Sequence, residues 1–226
     1  VESYRETLEE LDTEADVTVD GYISQDVAFT ILHLARERDV DLIIMGYPEE
    51  HRGIVERVQR RTPCDVVYSS GVEVEPPADF SVVNVGAGGG PYHRALLPLV
   101  NSFGRKGSEV HVINVEPEFG GTSETVQETL EGLKSSDTVE VHNVEEKNVA
   151  KGLVDTTKEN GGVLFIGASR DFLLKQWLFG STPDRVIDLA EEAGIPVLIY
   201  RTKASVSGVA GNIAFLVYRF FHILNR

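Results

Sequence analysis

Lysine is scarce in this chain of 226 residues: seven of the 21 basic residues, and none before Lys106. Set against 36 acidic residues, this leaves a formal charge of −15. A nucleic-acid backbone needs clustered Lys and Arg to displace its counterions, so nucleic acid is excluded as a partner. The acidic excess reads as a solvated surface that keeps the protein soluble. It also reads as adaptation to high salt, where screening removes the self-repulsion of such a surface. Cysteine occurs once, at Cys64 after a proline, which excludes a disulfide within the chain and fits a reducing cytoplasm. Its expected role is a small buried hydrophobe. Methionine also occurs once, at Met45, and the chain opens at Val1 on charged residues with helical spacing. It therefore reads as a piece of something longer, without a signal peptide.

What is present alternates in kind. Residues 1–11 have helical spacing, and Val17–Tyr22 alternates like a strand. Gln25–Arg38 reads as a helix, 42–46 (LIIMG) as a buried strand ending in glycine, His51–Arg61 as a helix and Asp65–Tyr68 as a strand. Residues 71–79 form a linker broken by Pro76-Pro77. The pattern then restarts with strands over Ser81–Val85, Val110–Val115, Val139–Val144, Val163–Ile166 and Pro196–Tyr200. Helices over Pro91–Phe103, Thr122–Lys134, Lys147–Glu159 and Pro183–Ala193 separate them. Strands alternating with helices predict an α/β fold with a parallel sheet and crossover helices.

The two halves are related. Residues 42–46 match Leu164-Phe165-Ile166-Gly167, and the strand after Pro63 matches the one after Pro196. Between these landmarks the first half lacks the long loop of the second, and Tyr47-Pro48-Glu49-Glu50 stands in its place. That substitute is short, acidic and unsuited to an anion. The predicted units are an incomplete domain over 1–70, the linker 71–79, a complete domain over 80–203 and an apolar C-terminal helix over 204–226. The last segment is read as docking on its own domain or a subunit interface, with an interfacial membrane helix as the alternative. Its apolar stretch before Arg219 falls short of the ~20 residues of a membrane span.

The most informative stretch is 161–183. A short apolar run stops at Gly167, a loop follows, and Gly180-Ser181-Thr182-Pro183 opens a helix. Unpaired N–H groups and the positive end of the helix dipole at such a start can hold phosphate, and glycine lets the backbone approach. The alternative is that Ser181 only caps the helix, with Asp184 complementing the dipole. Trp177, among Phe172, Leu173, Leu174, Leu178 and Phe179, is expected to fold the loop down as a lid or to face a partner. The six histidines, His33, His51, His93, His111, His142 and His222, fall on different elements with no metal-ligand spacing, so no metal site is predicted. No nucleophile elbow or catalytic triad is apparent.

Gly167-Ala168-Ser169-Arg170, nine residues and then Gly180-Ser181 resembles the loop of universal stress proteins that bind ATP, which reads Gly-x-x-Gly, nine residues, Gly-Ser or Gly-Thr. The resemblance covers 80–202 as a whole domain and 1–70 as the later part of another. It implies tandem Rossmann-like domains of the adenine-nucleotide α-hydrolase type, paired pseudo-symmetrically. It also implies a nucleotide site, for ATP or AMP, at Gly86, Val115, Gly167, Ala168, Arg170, Gly180, Ser181 and Thr182. Two positions depart from the family pattern: Arg170 replaces the second glycine, and Gly86 stands where the first strand usually ends in Asp. Arg170 either pairs with phosphate or fills the space glycine would leave. The glycine run 86–90 is no dinucleotide fingerprint, since Pro91 takes the third glycine's place, and it reads as a turn before a helix.

Tandem, acidic units of this kind resemble the cytoplasmic tails behind membrane transporters, cationic amino-acid permeases among them, in salt-loving archaea. The resulting expectation is a non-catalytic regulatory module with a degenerate nucleotide site, tethered at the cytoplasmic face to the transporter portion of its own polypeptide. A homo-oligomer is expected. The alternatives are a soluble ATP-binding stress protein and an inert dimerisation scaffold.

Overall fold

The computed structural model of the chain describes residues 16–47, 52–71, 78–116, 123–133, 139–168 and 182–203. The predicted helix over 1–11, the loop holding Trp177, the core of the linker and the apolar segment 204–226 lie outside the described residues.

Helix formation follows local signals. Asp26 precedes α1 (Val27–Glu37) and its carboxylate accepts from the Phe29 N–H at 3.0 Å. Asn148 does the same for α5 (Val149–Asn160), accepting from the Lys151 N–H at 3.3 Å. Such caps satisfy N–H groups that the first turn leaves unpaired. The buried faces correspond too: Ala28, Leu32 and Ala35 on α1, and Ala150, Leu153, Val154 and Thr157 on α5. The remaining helices are α2 (Arg52–Arg61), α3 (Gly90–Arg105), α4 (Ser123–Gly132) and α6 (Thr182–Ala193).

The strands are β1 (Leu42–Gly46), β2 (Asp65–Ser70), β3 (Val82–Gly86), β4 (Glu109–Glu116), β5 (Val139–Glu145), β6 (Val163–Gly167) and β7 (Val197–Arg201). They form one sheet in the order β1-β2-β7-β6-β3-β4-β5. Every neighbouring pair is parallel except β2 and β7, which run antiparallel with Tyr68 opposite Ile199. The parallel pair β1–β2 thus joins the parallel set β7-β6-β3-β4-β5 edge to edge across β2–β7. Asp65 ties that seam, accepting from the Tyr200 hydroxyl at 2.5 Å and the Lys203 N–H at 2.8 Å.

Alternate residues of the strands feed two cores, one on each face. One holds Leu32, Val58, Leu153, Val154, Val186 and Ile187 of α1, α2, α5 and α6. The other holds Leu96, Leu97 and Val100 of α3, with Leu133 at the end of α4. The three-layer α/β arrangement is the one the alternation predicts. Within it, Asn84 of β3 is fully buried, donating to the Gly161 carbonyl at 2.8 Å and accepting from Asn160 at 2.8 Å. This pins the end of α5 to the central strand. The close approach requires glycine at 162, where φ is +77° and a Cβ would lie 2.0 Å from the Val82 carbonyl oxygen.

One expectation is corrected. Val17–Tyr22 forms no strand, and Val17, Tyr22 and Ile23 stand exposed. Alternation yields a strand only where a neighbouring edge takes up its hydrogen bonds, and among the described residues none does so here. Among the described residues, no helix is long and apolar enough to cross a membrane.

Candidate functional site

From β3 the chain moves outward to β4 and β5, then returns to β6 and β7 on the other side. The crevice between the carboxyl ends of β3 and β6 is therefore the topological switch point, where open α/β sheets bind ligands. Gly86 ends β3 and Gly167 ends β6. As the crossover between parallel β6 and β7, α6 starts from this same edge, with Thr182 as its first, exposed residue. Of the predicted site residues, Arg170, Gly180 and Ser181 lie outside the described residues.

The structure gives several of the others a packing role. A Cβ on Gly167 would lie 2.8 Å from the backbone nitrogen of His93, so the first turn of α3 rests directly on the end of β6. A Cβ on Gly86 would meet Leu153 of α5 at 3.1 Å. Leu153 thus fills the space beside Gly86. Val115 covers Gly152 of α5, where a Cβ would come within 2.8 Å of its side chain. Ala168 is buried and its N–H bonds the Tyr200 carbonyl at 2.8 Å. Beyond Gly86 the chain turns tightly, the Gly88 N–H reaching the Gly86 carbonyl at 2.9 Å. Gly89, at φ +64°, then leads into α3, with Pro91 in its first turn. In the first turn of α6, Asp184 accepts from the Tyr47 hydroxyl at 3.4 Å. Tyr47, the residue after β1, therefore reaches the start of α6.

Nothing near His93 in the sequence sets it apart from the other histidines, yet it is fully buried on α3. Its spacing with Leu97 and Val100 on one helical face is the signal that marks it as inward. Thr129 gives its hydroxyl proton to the Thr125 carbonyl at 2.7 Å, so His93 Nε2–H donates to that hydroxyl at 2.7 Å. Nδ1 is left unprotonated, buried and, among the described residues, without a hydrogen-bond partner. Burial pushes the imidazolium down to about 4, only partly offset by Glu128, while Arg94 lowers it further. His93 is neutral at pH 7.

The second correction concerns the other histidines. His111 of β4 and His142 of β5 do not stay apart: their rings stack with centroids 5.1 Å apart, and His111 Nδ1 lies 2.8 Å from His142 Nε2. The parallel register sets His111 opposite Glu140 and Ile113 opposite His142, so all four share one face. Sequence spacing could not reveal this, because the pairing of β4 with β5 creates it.

No protein-family model and no curated protein matches the sequence. Among solved structures, a universal stress protein from Archaeoglobus fulgidus DSM 4304 superposes with a TM-score of 0.54 at 20% identity, over 78% of this chain and 65% of that one. A functionally unknown protein from Pseudomonas aeruginosa PAO1 gives 0.54 at 17% identity, over 89% and 76%. The likeness is one of fold: this chain has the Rossmann-like α/β fold of a universal stress protein structure. It spans 65% of the length of the Archaeoglobus protein.

Proposed function

We propose that this chain is a non-catalytic regulatory module of the universal stress protein type, in which the crevice between β3 and β6 takes an adenine nucleotide, ATP or AMP, through a degenerate site. One observation carries the reading. Two glycine-ended strands part at the topological switch point, on the edge from which α6 starts. Degeneracy follows from Gly86, which supplies no carboxylate, and from Leu153 beside it. Attachment to an amino-acid-permease-like transporter, at the cytoplasmic face of a membrane, extends this reading from the sequence resemblance. So does the salt adaptation suggested by the charge of −15.

A second reading, an inert scaffold, is favoured by Gly167, whose glycine is already demanded by the backbone of α3. One experiment separates the two. The protein is purified in high potassium chloride and denatured, and any released nucleotide is identified by mass spectrometry. Near-stoichiometric ATP or AMP is expected, together with a rise in unfolding temperature when the same nucleotide is added to emptied protein. An empty protein whose stability no nucleotide changes would replace the sensor by the scaffold.

A further inference from the structure

We propose that His111, His142 and Glu140 form a binding site for a divalent transition-metal ion of the zinc type, on the β4–β5 face and separate from the crevice. One ligand atom from each of the three side chains lies within 4.8 Å of the others. His142 Nε2 is 2.8 Å from His111 Nδ1 and 3.9 Å from Glu140 Oε1, so the three atoms converge on one point beside His142. In a tetrahedral zinc site, bonds of 2.0–2.1 Å place two ligand nitrogens about 3.3 Å apart. Small rotations of the two rings would open the gap to that distance, each neutral ring then carrying its proton on the nitrogen turned away from the ion, Nε2 of His111 and Nδ1 of His142.

The surroundings fit this assignment. The imidazoles are largely enclosed, with side-chain exposures of 12% for His111 and 23% for His142. The Glu140 carboxylate is open at 68%, which leaves an approach and room for a water as fourth ligand. If His111 binds through Nδ1, its Nε2–H faces Glu109, whose carboxylate oxygen is 3.8 Å away. A carboxylate behind a metal-binding histidine fixes the ring and raises its basicity. Two imidazoles select zinc or its transition-metal neighbours over magnesium and calcium, which take oxygen ligands. Because the ligands come from two strands, the ion would cross-link the outer strand β5 to β4.

The test uses the full chain stripped with a chelator and titrated with zinc by calorimetry. Cobalt serves as the visible probe of a four-coordinate site. One zinc per chain is expected, with affinity at least 100-fold weaker in His142→Gln and 10- to 100-fold weaker in Glu109→Gln. Equal affinity in wild type and His142→Gln, or no binding by the wild type, overturns the proposal. Should His142→Gln fail to fold, histidine ring resonances of the wild type decide. Zinc must shift those of His111 and His142 and leave those of His33 and His93 in place.

Discussion

β1 and β6 are both short apolar strands that end in glycine, yet they live in different surroundings. β6 lies between β3 and β7, and four of its five residues are buried. Among the described residues β1 pairs only with β2, and none of its residues is fully buried. Ile44 of β1 is 68% exposed, whereas Phe165, its counterpart in β6, is 1% exposed against Phe103. The terminal glycines part in the same way. Among the described residues a Cβ on Gly46 would meet nothing within 4 Å, whereas one on Gly167 would strike the backbone of α3. A strand-ending glycine that reads as a phosphate signature can thus be fixed by packing at one strand, while at the other no described neighbour demands it.

The largest expected effect comes from the matched pair of apolar positions. Phe165→Ala should cost roughly 3–5 kcal/mol and Ile44→Ala within about 0.5 kcal/mol, read from urea unfolding. Equal losses would mean that β1 is covered as β6 is. Next is acid sensitivity centred on His93. Between pH 6.5 and about 4 the unfolded chain binds a proton there that the folded chain refuses. Its contribution is therefore complete above pH 6.5 and falls as the pH drops, by roughly 3 kcal/mol over a shift of this size. His93→Gln should remove that part of the slope from a comparison of urea midpoints at pH 7.5 and 4.5. A slope unchanged by the substitution would place the titration elsewhere.

The smallest effect contrasts the two glycines. Gly167→Ala should destabilise by roughly 1–3 kcal/mol through overpacking against α3, and Gly46→Ala by less than about 0.5 kcal/mol. If Gly167→Ala is neutral in stability but lowers nucleotide binding, the crevice reading gains over the packing one.

The periodicity of apolar residues carried most of the architecture, since each helix and strand after residue 25 among the described residues follows from its own spacing, caps and glycines. Val17–Tyr22 shows where that information ends, because a strand needs a partner that its own residues do not specify. The same holds for His111 and His142. Thirty-one residues separate them, and only the β4–β5 register sets one against the other. For the crevice, the sequence singled out Gly86 and Gly167 as strand-ending glycines. What presses on them it could not say, because the approach of α3 to Gly167 and of Leu153 to Gly86 is decided by packing between distant segments.

The antiparallel seam has a consequence for the order in which the chain is made. β2 is completed at Ser70, but the strand that takes its second edge ends at Arg201. β6 likewise gains its second neighbour only with β7. During synthesis the early strands therefore hold open edges until nearly all of the described chain has emerged, and the last strand closes both at once. Such long-range closure is slow and leaves unpaired backbone exposed meanwhile. A chain cut short before Val197 would lose more than its final strand, because β1 and β2 would be left with no sheet to join.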